Sequence, residues 1–326
     1  MKACFCQGMT LVELLLALAL GAMLILGATG MLLAVSASHA AQASHARIDD
    51  SGRYAMDAIA RALRQSAYVN YVNYVSGDAG AVPLLPAAHD SASLAGLDAH
   101  SLSRNSEGIS NPLPDAMQGS DVLAVRFQGA GPADGGDGSV LNCAGFGVGA
   151  PASEGERGWS IFYVAIASDG EAELRCKYRG ASSWGADALI RGVDSFQVLY
   201  GLDTDTPPDG VANQYVNATA LAARDAALGL AGESEPERQR DLQRRTHWKR
   251  VTSVRLALLL HGENDQGGKA GQTGPPQFDL FGAPYSETDG AADVGTRITV
   301  ASLPPAQQGR VRKLVQTTVT LRNAAL

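Results

Sequence analysis

From Leu14 to Val35 the chain runs for 22 residues without an Asp, Glu, Lys or Arg. At about 1.5 Å of rise per residue, a helix over that run covers roughly 33 Å, enough to cross the hydrocarbon core of a bilayer. One acid stands at its edge. A carboxylate costs on the order of 2.5–3.5 kcal/mol at mid-membrane and less near the surface, so Glu13 calls for a role. A plain anchor whose acid reaches the headgroups is the simple alternative. Ahead of Glu13 lies only a short polar leader, Met1 to Gln7, closed by Gly8. A secretory signal peptide has its small residue after the apolar core, and here the order is reversed. Cys4 and Cys6 also precede the run, which argues against a lipoprotein leader.

The string Gly8-Met9-Thr10-Leu11-Val12-Glu13, with the uncharged run behind it, resembles the leader of the type IV prepilins. The resemblance implies cleavage after Gly8 by a prepilin peptidase/methylase that methylates the new amine of Met9, where the family commonly carries Phe. Glu13 becomes the fifth mature residue. In a helical fibre it would meet the Met9 amine of a neighbouring subunit, because a buried carboxylate is tolerable opposite a positive charge. Further on, residues 57 to 64 (Asp-Ala-Ile-Ala-Arg-Ala-Leu-Arg), Ser120-Asp121-Val122-Leu123 and Thr318-Val319-Thr320-Leu321-Arg322-Asn323 resemble the PilW-type minor pilins.

The fold expected is α+β and pilin-like, a long N-terminal transmembrane and amphipathic α-helix packed on an antiparallel β-rich globular head. It divides into a leader (1–8), a transmembrane and polymerisation half-helix (9–37) and a periplasmic amphipathic half (38–76). A surface connection (77–118) and the head (119–326) follow. Ile48, Gly52, Ala55, Met56, Ile59 and Leu63 recur at three- and four-residue steps and predict a helix face packed on a sheet, ending between Tyr68 and Gly77. The aromatic and Asn repeat Tyr68 to Tyr74 reads as a strand or an extended exit from that helix. Gly21, Gly27 and Gly30 are weak points, most simply packing sites in a membrane. Strand signals cover Asp121–Phe127, Trp159–Ala167, Glu171–Tyr178, Ser195–Tyr200, Val251–Leu260 and Val311–Leu321. In the last, Val311, Lys313, Val315, Thr317, Val319 and Leu321 share one face. A short Ala-rich helix is expected within Val211–Leu228, and a solvated helix or loop in the mixed-charge run Glu233–Arg245.

In an oxidising periplasm the discarded Cys4 and Cys6 leave Cys143 and Cys176 as one pair with one connectivity, free buried thiols being the alternative. Asp203, Asp205 and Asp209, followed by Gly210, approximate a Ca²⁺ loop, but Pro207-Pro208 lengthens the spacing and no bidentate Glu follows. A plain acidic turn fits as well, so calcium is the one cofactor in view. The net charge of −7 opposes broad nucleic-acid binding, and no direct nucleic-acid contact is expected. His247-Trp248-Lys249-Arg250 could stack a base or a sugar but lacks a second aromatic platform. The six histidines form no metal pair at helical spacing, and no Gly-x-Ser-x-Gly motif occurs, so a structural protein is expected and not an enzyme. The resemblance implies other minor pilins, the major pilin and a large tip adhesin as partners. Before assembly the chain would sit once through the inner membrane with its head in the periplasm, and afterwards at the pilus tip. Adhesion, twitching motility and DNA uptake are the processes implied. A pseudopilin of type II secretion and a ligand-binding tip module are the other readings.

Overall fold

A computed structural model describes residues 10–69, 87–114, 116–180, 182–262 and 275–322. It divides into two compact units, Met1–Arg47 and Ile48–Leu326. Gly8, Met9 and the 70–74 part of the aromatic repeat lie outside the described residues. Helix α1 is continuous from Leu11 to Gln65, through all three glycines of its apolar part.

Within the second unit, the stripe read from the sequence is the buried one. Ile48, Gly52, Ala55, Met56, Ile59 and Leu63 are buried, while Asp57, Arg61 and Arg64 face out. Full burial of side chains such as Ile59 and Leu63 stabilises the docked helix by roughly 1.5–3 kcal/mol each. The helix stops earlier than its periodicity suggests. Ala67 takes a left-handed conformation (φ 55°), and its N–H pairs with the Arg126 carbonyl at 3.3 Å, which turns the chain onto the sheet.

The first sheet is an antiparallel meander in chain order: β1 (Leu94–Leu97), β2 (Val122–Phe127), β3 (Gly158–Ile166), β4 (Ala172–Arg179) and β5 (Trp184–Arg191). Then follow β6 (Val193–Leu202), β7 (Gln214–Val216), helices α2 (Ala218–Ala226) and α3 (Glu235–Arg245), and β8 (Val251–His261). The small ribbon of β9 (Gln277–Asp279) and β10 (Arg297–Thr299) precedes the last strand, β11 (Arg312–Thr320). The second sheet has the order β11-β8-β6-β7. Gly192 is the corner between the sheets. Its N–H donates to Ala172 in the first, its carbonyl accepts from His261 in the second, and its φ of +76° suits glycine.

The main core gathers the α1 stripe with Leu123, Val125, Phe162, Leu174, Phe196, Val198, Leu256 and Leu258. On the other side of the second sheet, Ala257 and Leu259 are covered by Phe278, Leu280, Ile298, Val300 and Leu303.

The expected surface connection over 77–118 needs correction. Leu94–Leu97 is a strand paired to β2, and Leu94 and Leu102 are each only 3% exposed. Its residues, Leu-Ala-Gly-Leu, carry no strand propensity of note; pairing to β2 creates the strand. Gly96 is required because a Cβ there would lie 1.9 Å from the Tyr200 hydroxyl oxygen. Strand β5 also escaped the pattern, since Trp184-Gly185-Ala186-Asp187 does not alternate; it is held by its register on β4. The head's packing therefore begins at Ile48, not at residue 119.

Candidate assembly motif and polar sites of the head

At the start of α1, Thr10 and Glu13 form a reciprocal capping box. The Thr10 N–H and hydroxyl donate to Glu13 Oε2 at 2.9 and 3.1 Å, and the Glu13 N–H donates to Thr10 Oγ1 at 3.3 Å. The carboxylate thus satisfies donors that a helix start leaves open and lies at the positive end of the helix dipole. Behind it, Leu11–Ser36 is long and apolar enough to span a membrane, with mean hydropathy 2.4 and none of its length buried inside the protein. Its hydroxyls are satisfied locally, as lipid demands. Thr29 Oγ1 donates to the Ile25 and Leu26 carbonyls, and Ser36 Oγ to Leu33.

In the head, Cys143 and Cys176 form a disulfide with their Cα atoms 5.8 Å apart. It fastens the Gly-rich excursion after β2 to β4, beside a bond of 3.0 Å from the Cys143 N–H to Ser160 Oγ.

Asp203, Asp205 and Asp209 do come together, with ligand oxygens within 4.8 Å of one another. The turn also closes on its own donors: Asp203 accepts from the N–H groups of Asp205 (3.0 Å) and Gly210 (2.7 Å). Burial works against ionising Asp203, but the N–H groups of Gly210, Asp205 and Asp209, with the Arg250 charge, outweigh it and hold the carboxyl below its usual range.

Trp248 is committed to packing, edge-on to Tyr200 with ring centroids 4.8 Å apart, so it is no free stacking platform. Three buried polar centres were invisible in the sequence because their partners are far apart in the chain. Asp121 joins the two sheets, accepting from the N–H groups of Val198 (2.8 Å) and Ala99 (3.1 Å). Asp194 accepts from Arg312 Nε at 2.7 Å and lies 2.8 Å from His261 Nδ1, tying β6, β8 and β11 at one end. Lys177 donates to Ser103 O, Ser106 Oγ and Gly108 O at 2.8–3.0 Å, and its burial lowers its pKa to about 8.

Comparison with known proteins gives two family matches. Residues 5–29 match the model of the prokaryotic N-terminal methylation motif, and residues 161–323, half the chain, match that of type IV pilus-assembly protein W. Among solved structures, the type IV-like pilin TTHA1219 from Thermus thermophilus is similar, at 15% identity over 86% of this chain and 100% of that one, with a TM-score of 0.34. No curated protein matches the chain. A methylation motif opening an apolar helix, followed by an antiparallel β-rich head, defines a prepilin-class subunit. The chain belongs to the type IV pilus-assembly protein W family.

Proposed function

We propose that this chain is a minor pilin that primes assembly of a type IV pilus and resides in its tip complex. On this reading a prepilin peptidase/methylase cuts after Gly8 and methylates Met9. The subunit waits in the inner membrane with its head in the periplasm, then joins other minor pilins, the major pilin and a large tip adhesin. Adhesion, twitching and DNA uptake would follow from that place. The observation that carries the reading is Glu13: a lone carboxylate ahead of the Leu14–Val35 run, held on its own helix start and available to a neighbour's amine.

The test separates charge from capping. Glu13→Ala removes both, whereas Glu13→Gln keeps a capping-box residue and removes only the charge. Both variants should be cleaved and inserted normally, yet fall about tenfold in sheared pili, the loss expected when a charged contact worth about 1.4 kcal/mol disappears. Normal incorporation of Glu13→Gln would end the electrostatic role.

Calcium at Asp203, Asp205 and Asp209 belongs to this proposal as an optional property of the head. Millimolar Ca²⁺ should raise the melting temperature of the native chain and leave that of Asp205→Ala unchanged. No shift in the native chain retires the metal and leaves a self-closed acidic turn.

A further inference from the structure

His261 ends β8 at the corner where the two sheets meet, with its side chain only 1% exposed. Both of its ring nitrogens face a carboxylate. Nδ1 lies 2.8 Å from Asp194 Oδ1 on β6, and Nε2 lies 2.5 Å from Glu171 Oε1 in the turn between β3 and β4. Nε2 has a donor in reach as well: Arg310 Nη1, from the segment that leads into β11, stands 2.6 Å away. One ring atom thus has an anion and a cation to choose between.

The proton count of the ring makes the choice. An imidazolium carries two N–H groups, whereas a neutral imidazole carries one N–H and one lone pair. The imidazolium donates to Asp194 and Glu171 together and sets its charge against Arg310. The neutral ring keeps its Nδ1–H on Asp194, and the lone pair at Nε2 then repels Glu171 and accepts from Arg310. The opposite tautomer would turn a lone pair toward Asp194, whose side chain is wholly buried, at the cost of a buried acceptor left unpaired.

The groups around the ring are held in place. Asp194 accepts from Arg312 Nε at 2.7 Å, and Arg312 is anchored in turn by the carbonyls of Gln307, Gln308 and Arg310. Arg310 reaches both oxygens of Glu171, at 3.0 and 3.1 Å. Asp169, Arg191, Glu173 and Arg175, the charged groups bordering the same turn, pair among themselves. Burial works against ionising Glu171, but its bonds to His261 and Arg310 outweigh it and hold the carboxyl below its usual range. Glu171 therefore keeps its charge wherever a histidine titrates. At 24% exposure it forms the rim through which solvent reaches the cluster.

We propose that His261 is a proton-operated switch at the corner of the head: charged, it clasps the β3–β4 turn through Glu171, and neutral, it gives up that carboxylate and accepts from Arg310. The backbone carries the effect along the corner. The Ala167 N–H donates to Glu171 O at 2.8 Å, the Gly192 N–H to Ala172 O at 2.9 Å, and the His261 N–H to Gly192 O at 2.8 Å. The corner is thereby tighter in acid surroundings and looser in neutral ones. The switch belongs to the head itself and does not depend on the pilus-subunit reading.

Amide hydrogen exchange of the full-length protein, corrected for intrinsic rates and read at about pH 5.5 and about pH 7.5, tests it; both values lie above the carboxylate range, so only the ring changes charge in the cluster. Protection of Ala167, Gly170 and Gly192, taken relative to the β8–β11 ladder that both states keep, should be about tenfold higher at the acid pH, a shift of about 1.4 kcal/mol. His261→Gln carries no titrating proton and should abolish the difference. Glu171→Gln removes the charged acceptor and should do the same. If His261→Gln no longer melts cooperatively, Glu171→Gln decides alone. Equal relative protection at the two pH values in the native protein, or a difference that survives in Glu171→Gln, overturns the switch.

Discussion

Replacing both Cys143 and Cys176 by Ser will lower the stability of the head by about 3–4 kcal/mol. The bond closes a separation of 33 residues, and on a chain-entropy account the loss falls mainly on the unfolded state, which regains the freedom of that loop. The local sequence makes the loop's freedom large. Between the two cysteines it holds six glycines, of which Gly145 and Gly170 sit at positive φ, a region an unfolded glycine samples readily. Native contacts resist release of the excursion only modestly: the Leu141–Gly147 bridge, the Asn142 side chain accepting from Ala144 and Phe146, and Phe146 tilted against Tyr178. Denaturant unfolding of the purified full-length protein should show the midpoint falling in the double variant, and in the native protein after reduction. An unchanged midpoint in both would mean that the bridge adds nothing the β3–β4 pairing does not already supply.

Asp121→Ala will destabilise the head by about 2–4 kcal/mol, because it strands the buried N–H groups of Val198 and Ala99. Asp121→Asn will cost less, since an amide oxygen still accepts one of them while its NH₂ faces the other donor. The pH profile adds an independent signature. Burial first, and then the Asp98 charge, push the Asp121 carboxyl well above the usual range against the pull of the Val198 N–H; Asp293 adds to the rise. With the folded-state pKa above the unfolded one, the native state binds more protons between the two. Its stability is then greatest at acid pH and declines as pH rises from the ordinary carboxylate range toward the raised value. Asp293 is raised as well and contributes a slope of the same sign. Chemical unfolding across that range should therefore show a shallower decline in Asp121→Asn than in the native chain. Equal slopes would place the proton elsewhere.

Much of this architecture was legible before any coordinates. The α1 stripe announced itself through a helical period, and six strands through β-branched and aromatic runs, to within two residues at either end. Those patterns reflect burial of one face of a local element, which neighbouring residues alone can encode. The one-sided alternation of β11 is of this kind: Val315 and Val319 join the main core, while Leu314 packs on the opposite cluster. What escaped was anything whose reason lies across the fold. Strand β1 exists because β2 has an edge to fill, and the helix ends at Gln65 because the Ala67 N–H finds a carbonyl on β2. Ser120-Asp121 could be recognised as a family string but not understood. Its purpose, sealing β6, depends on Phe196 and Val198, more than seventy residues away.

The amino-acid order by itself determined the membrane-length helix, the lone acid before it, the amphipathic continuation and the pool of strands, because each follows from residues a few positions apart. Only the tertiary structure decided which carboxylates are locked between sheets and in what order the strands of each sheet lie. Those outcomes depend on distances between elements that the chain brings together only when the core closes, and hydrophobic burial sets those distances without regard to separation along the sequence.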